Sequence, residues 1–245
     1  MVVIMIVCEN LSKLYNQDSG IRDINLQFSP GIIYGIIGYN GSGKTTLLNC
    51  IEGLCVPTSG FISHDNVKTS NDKEFLPYRR KIAFLPSDDY LYPYLTCLEN
   101  IELATILKTG KNKILPDTKE LMRYFEVDQY LHKRFKECST GMKQKVQLII
   151  SLIGEIETII WDEPNNGLDI VSNMKIKNLL KHYKSKNTAI LFSSHVIEFL
   201  DNFVDHCVLL HEGKVIENTG IKNIESLEKL FLKLLPQDDM TFQFK

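Results

Sequence analysis

The sequence is short of three things: tryptophan, with one in 245 residues; long apolar runs; and any excess of charge of one sign. Each shortage excludes something. A membrane-crossing helix needs about 20 consecutive apolar residues, and no run approaches that length. The stretch from Val2 to Cys8 is apolar but much too short. It has no basic segment before it and no small-residue cleavage site after it, so it reads as a strand and not a signal peptide. With 28 Lys and Arg against 30 Asp and Glu, the net charge of −2 supplies no basic surface for nucleic acid, and none is expected as a partner. The six cysteines, Cys8, Cys50, Cys55, Cys97, Cys138 and Cys207, lack the paired spacing of a metal site or a disulfide framework. They read as reduced thiols of a cytosolic protein. Otherwise the composition is that of a globular chain with a sizeable core, long enough for one or two domains.

What is present is concentrated in Gly38-Tyr39-Asn40-Gly41-Ser42-Gly43-Lys44-Thr45. Glycine, four residues, glycine, lysine and threonine form the pattern of a phosphate-binding loop. The apolar run Ile32–Ile37 before it reads as a buried strand, and Thr46 to Ile51 after it keeps helical spacing. Strand, glycine loop and helix are what the chemistry needs. The glycines let successive N–H groups point inward at phosphate oxygens, and the helix start adds free donors and a partial positive charge. Lys44 has the reach for the β- and γ-phosphates, and Thr45 has a hydroxyl for Mg²⁺.

The flanking chain reads as strand at Val2–Cys8, an alternating strand through Ile21, Ile24, Leu26 and Phe28, and further strands at Phe61–Ser63 and Ile82–Leu85. Tyr15 is either an aromatic for stacking on adenine or a half-buried strand residue. From Pro86 the pattern turns helical. Thr96 with Glu99 forms a capping box, Pro116 opens a second helix through Leu121 and Met122, and a third is expected over Gln129 to Phe135. Ser139 caps a long amphipathic helix that begins Thr140-Gly141-Met142. Thr158–Trp161 is an apolar strand that ends in Asp162-Glu163. A strand end with two acids suits Mg²⁺ at Asp162 and polarisation of water by Glu163. Asp169 closes a tight turn into another helix. Thr188–Ser193 is a strand that leads to His195, which either donates to a phosphate or caps a helix. A hairpin around Glu212-Gly213 and a helix from Ile221 to Leu235 complete the reading.

In this order the aromatic, phosphate loop, helical insert, Cys138-Ser139-Thr140-Gly141-Met142-Lys143-Gln144, Asp162-Glu163, Asp169 and His195 resemble the ATPase subunit of an ATP-binding-cassette transporter, from Tyr15 to about Gly220. The resemblance implies an α/β fold: a P-loop NTPase (RecA-like) core, an N-terminal antiparallel β subdomain and an inserted α-helical subdomain. It implies a single ATPase domain over residues 1–220, with the helical insert at about 86–155, and a C-terminal helix and tail over 221–245. ATP and Mg²⁺ are the expected cofactors. Tyr15 would stack on adenine. Gly38, Tyr39, Asn40, Gly41, Ser42, Gly43, Lys44, Thr45 and Thr46 would hold the phosphates, and Asp169 would join the nucleotide site. Thr45 and Asp162 would serve Mg²⁺, with Glu163 as catalytic base and His195 as sensor of the γ-phosphate. Ser139 and Gly141 resemble the signature that contacts ATP on the facing subunit. The implied partners are therefore a second ATPase subunit, arranged head to tail, and a permease on a separate chain at the inner face of the cell membrane. Without ATP the chain is expected to be monomeric.

Two departures stand out. The signature is similar to the variant of drug, antimicrobial-peptide and polysaccharide exporters. After Leu85-Pro86, where the family has a glutamine, stands Ser87, followed by Asp88 and Asp89. A serine is too short to reach the attacking water, so turnover is expected to be slow with ATP binding nearly normal. Tyr90, Tyr92 and Tyr94 beside it either receive the permease or pack the insert. A soluble ATPase of the same fold, or an ATP-dependent switch that hydrolyses little, remains the alternative.

Overall fold

In the computed structural model, residues 5–16, 19–70, 72–201, 203–224 and 226–232 are described. The first two strands, β1 (Ile6–Leu14) and β2 (Gly20–Phe28), pair antiparallel. β1 runs on well past Cys8, where the sequence suggested an end. The polar break Glu9-Asn10 is a bulge: Asn10 takes φ 46 and the register with β2 shifts between Cys8 and Leu11, after which the apolar face resumes at Leu11. The first residues of the expected strand, up to position 4, lie outside the described residues. β4 (Ser59–His64) and the short β5 (Val67–Lys68) complete a four-stranded sheet in the order β2-β1-β4-β5.

The second sheet has six strands. β3 (Ile33–Ile37), β6 (Ile82–Leu85), β7 (Thr158–Asp162), β8 (Ala189–Ser194), β9 (His206–His211) and β10 (Lys214–Gly220) lie in the order β10-β9-β3-β8-β7-β6. All neighbours are parallel except the β9–β10 hairpin. Every residue of β3, β7 and β8 is buried. That is why these strands read as unbroken apolar runs: parallel strands are covered on both faces. The phosphate loop leaves β3, the two acids end β7 and His195 follows β8, so sheet order places them side by side at the carboxyl ends of adjacent strands. α/β ligands bind at such edges.

Helix α1 (Lys44–Glu52) follows the loop and stops at Gly53, φ 86. α2 (Asp72–Arg79) had no periodic signal in the sequence. It is held by tertiary contacts, with Phe75 buried and Arg79 donating to both oxygens of Glu52 at 3.0 and 3.2 Å. α3 (Cys97–Thr109) starts at the expected capping box: Thr96 Oγ1 accepts from the Glu99 N–H, and the Thr96 N–H donates to Glu99 Oε2 at 2.7 Å. α4 (Pro116–Tyr124) carries its proline at the first turn, where no donor is needed.

The helix expected over Gln129–Phe135 is absent. In its place are two 3₁₀ turns, Val127–Tyr130 and Phe135–Glu137. The chain between them runs beside the start of α3, where Cys97 and Leu98 donate to the carbonyls of Lys133 and Leu131. Those carbonyls would otherwise serve an α-helix. α5 (Thr140–Ser151), α6 (Ile170–Ser185) and the short α7 (Ile197–Leu200) follow. The expected continuous tail helix is broken into a 3₁₀ turn, Ile221–Asn223, and α8 (Leu227–Leu232); its last expected residues, from 233 on, lie outside the described residues. No helix among the described residues is long and apolar enough to cross a membrane.

Trp161 is fully buried in β7, its indole N–H donating to Ser151 Oγ of α5 at 3.2 Å. His64 is also buried, 1% exposed, with Nε2 3.0 Å from the Ile51 carbonyl and its ring on Phe75. Burial pushes its pKa down from 6.5 to about 4. The folded chain therefore keeps His64 neutral, while the unfolded chain takes a proton near 6.5. Its contribution is complete above pH 6.5 and is lost as pH falls toward 4. The expected loss of unfolding free energy from this group is about 2 kcal/mol between pH 6.5 and 5. Denaturant midpoints across that range should fall steeply for the wild type and less steeply for His64→Gln.

Candidate functional site

The phosphate loop is formed by close backbone packing. A side chain at Gly38 would meet the Leu210 carbonyl and Ser42 Oγ, both at 2.4 Å. Gly43 takes φ 106 and a Cβ there would meet Ile21 at 2.6 Å. The loop is thus wedged between β2 and the β9–β10 hairpin. Beside it opens a cleft of about 370 Å³, lined by Asn40, Gly41, Gly43, Lys44, Thr45 and Thr46, by Ser19 and Gly20 from the start of β2, by Ser87, and by Asp162 and Glu163. Loop, acids and the Ser87 position therefore meet as expected.

Lys44 is almost fully buried and its ammonium folds back onto the loop. Nζ donates to the carbonyls of Gly38 at 2.8 Å and Tyr39 at 3.2 Å, with Glu163 Oε1 at 3.8 Å. Burial pulls its pKa down, partly opposed by the charges of Glu163 and Asp162. Thr45 Oγ1 donates to Asp162 Oδ2 at 2.5 Å, and Ser193 Oγ donates to Asp162 Oδ1. Ser193 also receives the Glu163 N–H at 3.0 Å. It was not singled out in the sequence, although a polar residue in a fully buried strand one step from the sheet's ligand edge is a signal. Glu163 sits at φ 50, a left-handed conformation that costs a non-glycine residue about 1 kcal/mol and turns its carboxylate out of the strand line. His195 Nδ1 lies 2.9 Å from Glu163 Oε2, yet that oxygen makes no hydrogen bond. The contact is a close approach without hydrogen-bond alignment.

The orphaned atoms fit an anion and its cation. Ser42 Oγ and Glu163 Oε2 are buried without hydrogen-bond partners, and the ion pair of Lys44 with Glu163 is long, at 3.8 Å. Among the described residues no cluster of three or more His, Cys, Asp or Glu can hold a metal. Thr45 and Asp162 offer two oxygens, the donor type of a Mg²⁺ that takes its other ligands from phosphate and water.

The other expected site residues lie apart from the cleft lining. Tyr15 is 58% exposed, with its hydroxyl 3.7 Å from Cys55 Sγ and the Lys13 ammonium 5.4 Å from its ring centroid. Tyr39 turns away from the cleft and packs on Phe231. Asp169 is the N-cap of α6, accepting from Ser172 N–H at 2.7 Å. Ser139 caps α5 by accepting from Met142 N–H at 3.3 Å. At Gly141 a Cβ would meet the Gly167 carbonyl at 2.7 Å, so glycine is what lets α5 start against the turn that carries Asp169. Asp89 is taken up by α5, with Lys143 Nζ at 2.6 Å and Gln147 Nε2 at 3.2 Å, and Tyr90 bonds Gln147 through both N–H and hydroxyl. Gly141→Ala must push α5 and the 165–168 turn apart. It is expected to lower turnover by about a hundredfold while leaving ATP binding to the isolated chain unchanged, as checked by paired rate and equilibrium-binding measurements.

Comparison with known proteins agrees with this geometry. The family model described as ABC transporter matches residues 21–166. The chain is 30% identical over 228 residues to the lantibiotic transport ATP-binding protein SrtF of Streptococcus pyogenes, covering 93% of this chain and 96% of that protein. It is 31% identical over 232 residues to the bacitracin transport ATP-binding protein BcrA of Bacillus licheniformis, covering 94% and 74%. The dimeric post-hydrolysis structure of the ATP-binding cassette MJ0796 with ADP and Pi superposes with a TM-score of 0.79 at 28% identity, over 89% of this chain and 100% of that one. The chain belongs to the ABC transporter family, as one of its ATP-hydrolysing cassettes.

Proposed function

We propose that this chain powers export across the cell membrane through a permease on a separate chain, working as a head-to-tail pair of ATPase subunits on the membrane's inner face. The observation that carries the reading is the start of α5. Ser139 and Gly141 form a capped helix terminus, yet neither lines the cleft beside the phosphate loop of the same chain. A second copy, turned head to tail, would bring that terminus to the phosphate end of the facing cleft. Relatives named for lantibiotic and bacitracin transport favour a peptide-type exporter.

Lys44, the loop N–H groups and the Ser42 hydroxyl would bind the phosphates. Thr45 and Asp162 would hold Mg²⁺, which when bound supplies charge neutralisation on the phosphate oxygens. Glu163 would take the proton of the attacking water, and His195, close to Glu163, would respond to the γ-phosphate. Asp162 is already oriented by Thr45 and Ser193, so little rearrangement is needed at the metal side. Tyr15 would cover the adenine. Asp169, which ties the turn beside α5 to α6, would join the nucleotide interface. Release of phosphate removes the anion around which the two subunits close, and the pair opens.

At the permease side, Tyr92 and Tyr94 are 59% and 71% exposed and Asp88 is exposed, whereas Asp89 and Tyr90 are occupied by α5. Docking is therefore assigned to Tyr92, Tyr94 and Asp88.

Two measurements test the proposal. Glu163→Gln should abolish turnover and elute as a dimer in Mg-ATP, while wild type returns to monomer as ATP is consumed; a mutant that stays monomeric with ATP bound contradicts the paired ATPase. Ser87→Gln should raise turnover several-fold with ATP affinity unchanged. An unchanged rate would show that the serine does not limit hydrolysis.

A further inference from the structure

Tyr39 is the one aromatic residue of the phosphate loop, and it does not line the cleft. It packs against Phe231 of α8 with ring centroids 4.6 Å apart and planes at 60°. Leu227 and Leu230 of the same helix are buried in the core that includes Ile37, the last residue of β3 before the loop. The backbone of Tyr39 acts in the other direction. Its carbonyl accepts from Lys44 Nζ at 3.2 Å and from the Ser42 N–H at 3.1 Å. One residue thus joins the C-terminal helix, through its ring, to Lys44 and the backbone of Ser42, through its carbonyl.

We propose that Phe231 is a positioning residue for nucleotide binding. By pinning the Tyr39 ring it holds the loop backbone in the curl whose N–H groups receive phosphate, and it sets where Lys44 waits before nucleotide arrives. The loop needs such a tether. Gly41 takes φ 81, and a Cβ placed there would meet nothing within 4 Å; Gly43 takes φ 106. The apex of the loop at Gly41 is therefore unpacked, between ends held by the Gly38 and Gly43 contacts. A loop that must be ordered on binding costs affinity, and one ordered in advance does not. Gly38 fixes one end by contact with β9, and the Tyr39–Phe231 pair fixes the next residue. The inference rests on residues 38–45 being the phosphate loop.

The test is calorimetric binding of Mg-ATP to the full chain. Phe231→Ala should weaken binding about fivefold, the factor expected from loss of one aromatic pair, with turnover at saturating ATP retained. Phe231→Tyr, which keeps the ring, should bind within about twofold of wild type. Leu230→Ala removes a buried side chain of the same helix; it should lower the thermal midpoint without changing ATP affinity. If Phe231→Ala folds poorly, Tyr39→Leu gives the same readout, since it keeps an apolar contact and loses the ring pair. Unchanged affinity in Phe231→Ala or Tyr39→Leu overturns the proposal. So does a loss of affinity in Leu230→Ala as large as that in Phe231→Ala, because α8 would then act through stability alone. Lys44→Ala separates the premise: if it still binds ATP as wild type does, the phosphate-loop assignment fails, whatever Phe231 does.

Discussion

A buried ammonium held by two backbone carbonyls and only one long ion pair is the constraint on which this structure turns. Lys44 sits beneath the loop and donates to two backbone carbonyls, with the nearest carboxylate oxygen 3.8 Å away. Burying a charge is costly unless it is paired, and here the pairing is incomplete. The Asp162-Glu163 strand end lowers the cost by proximity, and the rest is left to a ligand. Adding phosphates would complete the charge pairing that the protein alone does not make. The surrounding features serve that site: the glycines that let the loop curl around the lysine, the parallel strands that carry the acids beside it, and Ser193, which holds both Asp162 and the backbone of Glu163.

The second constraint is that the residues proposed for catalysis are carried by two different parts of the fold. β3, β7 and β8 deliver the loop, the acids and His195 to one edge. The Ser139–Gly141 terminus is carried by α5, which the loop after β6 grips through Asp89, Lys143 and Gln147. Gly141 and Gly167 pack backbone against backbone, so the start of α5 and the Asp169 turn form one corner. A corner of this kind presents two elements together to a facing surface, which is what a sandwich of two subunits requires.

Much of the fold was legible in the sequence because its signals are local. The buried parallel strands announced themselves as apolar runs, the Thr96–Glu99 box marked its helix start, and the glycine loop declared both its conformation and its ligand. What was missed was decided by distant contacts. α2 exists because Arg79 finds Glu52 and Phe75 finds the core, and no periodicity in 72–79 reveals that. The segment 129–135 has helical composition but gives its carbonyls to α3. Asn10 interrupts β1 in the sequence but only bulges it in space. At the site, the turn of the Tyr39 ring toward α8 was invisible for the same reason, since Phe231 is far away along the chain, and the polar Ser193 in its apolar strand did not by itself reveal its distant partner, Asp162.

The central claim is that each cleft is completed by the signature of another copy. Complementation between two dead variants tests it most directly. Lys44→Ala has a disabled loop and an intact signature; Ser139→Ala, combined with Gly141→Ala, has the reverse. Each alone should be inactive. Mixed in equal amounts with Mg-ATP, they should recover turnover in proportion to the mixed dimer, whose one whole site takes its loop from one chain and its signature from the other. A mixture as inactive as its components, or a signature variant that hydrolyses ATP alone at the wild-type rate, would contradict the account.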